Sequence, residues 1–377
     1  VDPDPTTRAE TQRILDEGTD LDARFGTHLR FGTAGLRGRL GAGPNRMNRV
    51  LVRLVATALG EHLSEHDTDP RVVIGYDARH GSEDFAVDTA RVLLAQGVPC
   101  TLLPRPLPTP VVAFAVRHLH ASAGVMVTAS HNPRDDNGYK VYGPGGSLLT
   151  SPHDEEIAAL MERLPLVGDL DLVPLSDPGL IPASEHLVDD YCAAAIATLD
   201  ASSSRSIRTV YTPLHGVGRD TIERVFADAG FPAPDIVAEQ ADPDPDFPTA
   251  PFPNPEEPGA LDLLLRLGDV VSADVALAND PDADRLAVAV RDETGWHALT
   301  GDDVGCLLAD HLLRRPVDAG VERLVVTTVT SSRLLARLAA HHGAHFEETL
   351  TGFKWIMHAR DRHPVSYTHL TLPTTRL

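Results

Sequence analysis

The sequence predicts an α/β protein built of three successive sandwich domains, each with a mostly parallel, mixed sheet between helices. Two observations carry that prediction. Short β-branched apolar runs alternate with amphipathic helical stretches along nearly the whole chain, the order expected of βα units and not of a bundle or an all-β barrel. The chain also has 377 residues, 42% of them hydrophobic, and at roughly 100–200 residues per domain that is too much for one core.

Composition narrows the function. A formal net charge of −21, from 33 Lys+Arg against 54 Asp+Glu, argues against a nucleic-acid or anionic-membrane partner. It leaves room for a small phosphorylated ligand in a locally basic cleft. Cys100, Cys192 and Cys306 are far apart and lack metal-ligand spacing, so they read as small core residues in a reducing compartment. No opening stretch has the basic-then-apolar order of a signal peptide, and no apolar run reaches membrane-spanning length. A cytoplasmic protein is expected.

The first domain is expected over residues 1–184. A helix over 6–30 leads into Arg30-Phe31-Gly32-Thr33-Ala34-Gly35-Leu36-Arg37-Gly38-Arg39. Its glycines allow close backbone approach and its arginines suit a phosphate, although a flexible turn with solvated arginines fits equally. Neither a dinucleotide fingerprint nor a Walker pattern occurs. A helix over 48–63 precedes a buried strand over 71–77 that ends in Asp77-Ala78-Arg79, and Ser82 is placed to cap a helix over 83–96. A strand over 100–103 ends in a proline-rich run, and a helix over 111–119 returns the chain to Gly124-Val125-Met126-Val127-Thr128-Ala129-Ser130-His131-Asn132-Pro133. Pro133 restricts Asn132 to extended geometry and stops any helix. Ser130 therefore sits in a fixed loop at the carboxyl end of a strand, where ligands of parallel sheets gather. His131 is beside it and Lys140 one loop further on. On composition alone this is an ordinary strand-to-turn junction; two other stretches change that reading. Residues 164–184, rich in Pro, Asp and Leu, read as a linker.

The second domain is expected over 185–299. A helix over 185–199 leads to a strand and the glycine-rich turn His215-Gly216-Val217-Gly218, then a helix over 219–229, an acidic proline-rich loop over 242–258 and a helix over 261–267. The strand 274–279 ends in Asp280-Pro281-Asp282-Ala283-Asp284-Arg285. In extended backbone the three alternating carboxylates point the same way. With no lysine nearby they repel one another, and a hard divalent cation relieves this. A calcium hand is excluded because Arg285 stands where its glycine belongs and Arg291 where its glutamate belongs. An acidic solvated turn fits poorly between two apolar runs. A magnesium site with open positions for a phosphate oxygen and water fits better.

A partial third domain is expected over 300–364. Asp302 or Asp303 caps a helix to Leu313, a strand spans 323–330, and Ser331-Ser332 caps a helix to His341. His341, His342 and His345 read as a polar helix end. Thr351-Gly352-Phe353-Lys354 sets a hydroxyl and a glycine beside a lysine and aromatics. Residues 365–377 contain no Gly, Ala, Asp or Glu and read as a non-native tail.

Together, Thr128–Pro133, Asp280–Arg285, Gly32–Gly38 and Thr351–Lys354 resemble the phosphoserine, magnesium, N-terminal and sugar-contacting segments of the α-D-phosphohexomutases, the phosphoglucomutase and phosphomannomutase family. The wording around Phe31 and Phe353 looks most like the branch that includes phosphopentomutases. The resemblance implies that Ser130 carries a phosphoryl group and exchanges it with a sugar phosphate through a sugar 1,6-bisphosphate, which also serves as activator. It implies Mg2+ on Asp280, Asp282, Asp284 and Ser130. It further implies charge stabilisation by Arg37 and Arg285, proton exchange by His131 or Lys140, and sugar contacts from Thr33, Thr351 and Gly352. The family's glutamate loop and fourth domain are not found in the sequence, so low turnover is expected. Glucose, mannose and pentose phosphates stay open as substrates, and a serine-dependent phosphatase is the rival enzyme class.

Overall fold

The computed structural model describes residues 2–30, 35–164, 172–200, 202–316 and 321–362. Thr33 and residues 365–377 lie outside them, and so does part of the expected linker.

The first unit holds α1 (Pro5–Glu17), α2 (Leu21–Phe25), β1 (Leu36–Arg39), α3 (Arg49–His66), β2 (Val72–Tyr76), α4 (Ser82–Ala95), β3 (Cys100–Leu102), α5 (Thr109–His118), β4 (Ala123–Val127), β5 (Asp136–Tyr142), α6 (His153–Arg163) and β6 (Leu180–Pro182). Its six-stranded sheet runs β1-β5-β4-β2-β3-β6; β4, β2, β3 and β6 are parallel, and β5 and β1 add antiparallel steps at one edge. Strands β2 and β4 are buried at every position, as sandwich-core strands must be. Val52, Val55 and Leu59 of α3, Leu93 of α4 and Ile157 of α6 fill one face. Val111, Val112 and Val116 of α5 fill the other with Leu187 and Cys192 of α7 (His186–Ile196).

The second unit continues with β7 (Thr209–Thr212), α8 (Arg219–Asp228), β8 (Asp235–Ile236), α9 (Asp262–Val271), β9 (Val275–Asn279), β10 (Leu286–Asp292) and β11 (Gly295–Ala298), with sheet order β11-β10-β9-β7-β8. The third holds α10 (Gly301–Leu313), β12 (Leu324–Thr328), α11 (Leu334–His341), β13 (His345–Thr349) and α12 (Phe353–Arg362). Here β12 and β13 pair in parallel. Successive strand residues face opposite ways, so Val325 packs with α10 and α11 while Leu324 and Val326 pack with α12.

Several expectations are corrected. The helix expected over 6–30 is two, because Gly18 ends α1 in the left-handed region at φ 65°. Ser82 does not cap α4: Gly81 holds the cap position, and the Ser82 hydroxyl donates to buried Asp77 instead, at 2.6 Å. The expected linker over 164–184 contributes β6 to the sheet edge. The cap of α10 is Thr300, whose hydroxyl accepts from the Asp303 backbone while the Asp303 carboxylate returns the bond, a reciprocal capping box. The hairpin strand β11 had no sequence signal strong enough to find it. All three cysteines are free and buried, as expected of core residues. Among the described residues no helix is long and apolar enough to cross a membrane.

Candidate active site

The site forms where the carboxyl edge of the first sheet meets the loop after β9. Strand β4 ends at Val127, and Thr128 donates its hydroxyl to Asp77 Oδ2 at 2.6 Å while accepting from the Ser130 backbone N–H at 2.8 Å. Arg79 forms an ion pair with Asp77 at 3.2 Å and donates to the carbonyls of Ser130, of Asn132 at 2.8 Å and of Pro133 at 2.9 Å. One buried Asp–Arg pair thus ties the whole serine loop to the end of β2. Burial pushes the Asp77 carboxyl up, and Arg79, Ser82 and Thr128 work against that. The tethers hold Ser130 at φ 53°, a left-handed conformation uncommon outside glycine, and the residue is only 2% exposed.

Ser130 Oγ lies 2.8 Å from Asp280 Oδ2 and 3.1 Å from His131 Nδ1. Burial, helped by the Arg285 and Arg37 charges, lowers the His131 pKa to about 3, so the ring is a neutral imidazole. The three aspartates do converge: their carboxylate oxygens lie within 4.8 Å of one another. The backbone reason differs from the one expected. The loop is not extended but turns, with Ala283 at φ 52° and its N–H on the Asp280 carbonyl at 2.9 Å. A second correction concerns charge. The carboxylates do have a lysine: Lys140 Nζ sits 2.8 Å from Asp282 and 2.7 Å from Asp284. Burial alone would depress the Lys140 pKa, yet those two carboxylates push it up, so the ammonium keeps its proton.

Arg37 donates to Asn132 Oδ1 at 3.1 Å, and Arg285 stands 4.0 Å from Asp280 with its backbone N–H on the other Asp280 oxygen at 3.0 Å. Thr351 and Gly352 lie at the β13–α12 junction, and among the described residues no hydrogen bond or ion pair joins them to this cluster. Lys354, just beyond, pairs with Asp154 at 3.6 Å.

A divalent cation fits. Asp282 Oδ2 is used by Lys140 and by Thr109, whose hydroxyl donates at 2.6 Å, but Asp282 Oδ1 is buried with no hydrogen-bond partner. An orphaned buried carboxylate oxygen costs free energy unless something completes it. Burial and the neighbouring Asp282 and Asp284 push the Asp280 carboxyl well above the usual range, which a cation at the shared oxygens reverses. The donor set is all oxygen, as hard cations such as Mg2+ require.

Sequence reading missed Asp77, Arg79, Thr109 and Phe247, whose ring lies 4.9 Å from the Arg79 guanidinium. It missed the role of Gly216 as well: a Cβ there would stand 2.3 Å from Pro281 Cα, so only glycine lets the turn after β7 support the aspartate loop. The Asp77-Ala78-Arg79 strand end was a signal of the same kind as the serine loop, and the glycine-rich turn His215–Gly218 marked Gly216 without showing what it packs against; for Phe247 there was none.

Comparison with known proteins agrees with this geometry. Three family descriptions match in order: "Phosphoglucomutase/phosphomannomutase, alpha/beta/alpha domain I" over residues 28–166, domain II over 189–295 and domain III over 300–368. A probable phosphomannomutase of Haemophilus influenzae is 46% identical over 314 residues, covering 82% of this chain and 64% of the relative. The human phosphopentomutase is 38% identical, covering 94% of this chain and 62% of its own length, and the human glucose 1,6-bisphosphate synthase is 39% identical over 94% and 61%. The chain thus spans a little under two thirds of the length of these curated relatives. Among solved structures, a putative phosphomannomutase from Thermus thermophilus superposes with a TM-score of 0.74 at 27% identity, over 89% of this chain and 72% of that one. With its serine loop, its aspartate loop and all three matched domains in family order, the chain belongs to the phosphoglucomutase/phosphomannomutase family.

Proposed function

We propose that the protein is a phospho-sugar mutase, an intramolecular phosphotransferase that moves a phosphoryl group between the 1 and 6 positions of a hexose phosphate, glucose or mannose. The observation that carries this reading is the 2.8 Å approach of Ser130 Oγ to Asp280 across two domains, which sets the proposed nucleophile beside a carboxylate cluster that fits a cation. The pentose reading, with transfer between the 1 and 5 positions, rests on the human phosphopentomutase that matches 94% of the chain.

In the forward half-reaction the P–O bond to Ser130 Oγ breaks and a new P–O bond forms to the sugar hydroxyl, whose proton ends on the departing Ser130 oxygen. His131 Nδ1, neutral and 3.1 Å from Ser130 Oγ, is placed to exchange a proton with the serine oxygen. Lys140, paired with Asp282 and Asp284, adds positive charge beside the transferring group and is the second candidate to exchange a proton with the sugar hydroxyl. Arg37 and Arg285 add positive charge beside the serine loop, where anionic oxygen develops. Mg2+ held by Asp280, Asp282, Asp284 and Ser130, when bound, supplies neutralisation of the transferring group. Thr33, Thr351 and Gly352 remain proposed sugar contacts, and a sugar 1,6-bisphosphate the proposed intermediate and activator.

The chain should take up one labelled phosphoryl group from glucose 1,6-bisphosphate, mapped by mass spectrometry to Ser130 and absent from Ser130→Ala. Label on Thr128 or Ser122, or release of free phosphate in step with uptake, would overturn the mutase reading. Discharge of that label by glucose 6-phosphate, mannose 6-phosphate or ribose 5-phosphate then ranks the sugars.

A further inference from the structure

A second group of potential metal ligands lies away from the serine. His62 and His66 are one turn apart on α3, and His153 and Glu156 one turn apart on α6, so both helices turn their pairs toward each other. One donor atom from each of the four lies within 4.8 Å of all the others. Glu156 Oε2 is 3.4 Å from His62 Nδ1, 3.7 Å from His66 Nε2 and 3.7 Å from His153 Nδ1. Bonds of about 2.0–2.1 Å at a tetrahedral zinc set neighbouring ligand atoms about 3.4 Å apart. The three spacings from Glu156 are near the edges of such a tetrahedron, and the three between histidines lie within 4.8 Å.

The second observation is independent of the spacing. His62 is 4% exposed, and its Nδ1 is buried without a hydrogen-bond partner; so are His153 Nδ1 and Glu156 Oε2. Four polar atoms gather, and three of them satisfy nobody, which a folded interior tolerates only at a cost. His66 shows the orientation a ligand needs. Its Nδ1 donates to the His62 carbonyl at 2.8 Å, which leaves the Nε2 lone pair facing the cluster. His66, His153 and Glu156 reach solvent, so an ion has a way in.

The geometry points to a structural Zn2+ site formed by His62 Nδ1, His66 Nε2, His153 Nδ1 and Glu156 Oε2. Three imidazoles and one carboxylate suit a borderline transition ion and not Mg2+, which prefers oxygen. Four protein ligands close the tetrahedron and leave no open position for substrate, so the role is to fasten elements together. The site lies at the opposite edge of the first sheet from Ser130. Helix α3 ends just before β2 begins, and β5 reaches α6 from the amino end of β4, where Tyr142 pairs with Gly124. It clamps α6 to α3 beside the place where α12 docks through Lys354 on Asp154 and His358 on Thr150. By contrast, the histidines the sequence spells out together behave differently: His342 pairs with Asp310 at 2.9 Å, and no metal-binding group forms around His341, His342 and His345 among the described residues.

Calorimetric titration of Zn2+ into the full chain in excess Mg2+ should show one tight site. His66→Gln and His153→Gln, each at a partly exposed position, should weaken that site by about 100-fold or more. Labelling of Ser130 by glucose 1,6-bisphosphate should persist in both. Co2+ added to the unmodified chain should give the intense visible bands of a tetrahedral site, a readout independent of how the variants fold. Equal Zn2+ affinity in the chain and both variants would place the ion elsewhere and overturn the proposal. So would a Co2+ spectrum showing only the weak bands of six-coordination.

Discussion

At the scale of single residues, the site separates groups that titrate from groups that only carry charge. His131 has an ordinary pKa near 6.5, and burial with the Arg285 and Arg37 charges brings it to about 3 in the unphosphorylated protein. Its folded pKa lies below the unfolded one, so between those values the unfolded chain binds the extra proton. His131 therefore costs no stability above its ordinary pKa, and stability falls as pH drops from there toward the folded value. The nuclear magnetic resonance signal of the His131 ring should not titrate between about pH 5 and 8. Phosphorylation of Ser130 should raise its midpoint, since a phosphate dianion favours imidazolium. A midpoint near 6.5 in the unphosphorylated chain would show the ring to be solvated. The serine and the aspartates were legible because each motif is contiguous. The partner of Lys140 was not: Asp282 follows it by 142 residues, and only folding brings the two within 2.8 Å.

At the scale of elements, strand ends were read well and caps less well. Apolar runs announce β2 and β4 because both faces of these strands are covered, and β9 although only its alternate residues are fully buried; the polar residues that follow all three read as loops. Caps depend on competition for one side chain. Ser82 has the right type for an N-cap, but Asp77, buried and needing donors, takes its hydroxyl. The turn after β7 makes a similar point about glycine. Gly216→Ala would drive a methyl to 2.3 Å from Pro281 Cα, so the aspartate loop must shift while the strands on either side stay packed. We expect Mg2+ affinity to fall by about 10-fold or more, as when supporting contacts behind metal ligands are lost. Isothermal titration together with a thermal melt checks this; unchanged affinity would show that the loop is carried by β9 and β10 alone.

At the scale of the molecule, the site is a seam between two domains. Thr109 holds Asp282 by both backbone and side chain, Lys140 spans the same gap, and the 242–258 loop reaches back through Phe247 on Arg79 and Asp246 near His80 and Arg134. Binding of Mg2+ should therefore slow hydrogen exchange in residues 127–132, 243–250 and 279–285 together, and Phe247→Ala should uncouple 243–250 from the other two segments, which stay joined through Ser130, Thr109 and Lys140. Protection confined to 279–285 would mean that the domains do not respond as a unit. None of this seam was visible from periodicity, since the contacting residues lie more than a hundred positions apart and follow no common pattern. The α/β class of the fold, by contrast, was legible from the alternation of strands and helices.

The left-handed backbone at Ser130 bears on which alcohol can serve here. Serine and threonine carry the same nucleophilic oxygen, and in flexible chains either can be phosphorylated. At φ 53° a second substituent on Cβ crowds the adjoining carbonyl, so a β-branched residue is a far worse fit than an unbranched one. The tethers from Arg79 and Thr128 leave the loop no freedom to relax around an added methyl. The choice of hydroxyl amino acid is then dictated by the main chain before any chemistry begins, and a threonine enzyme on this scaffold would first have to rebuild the corner on which the oxygen stands.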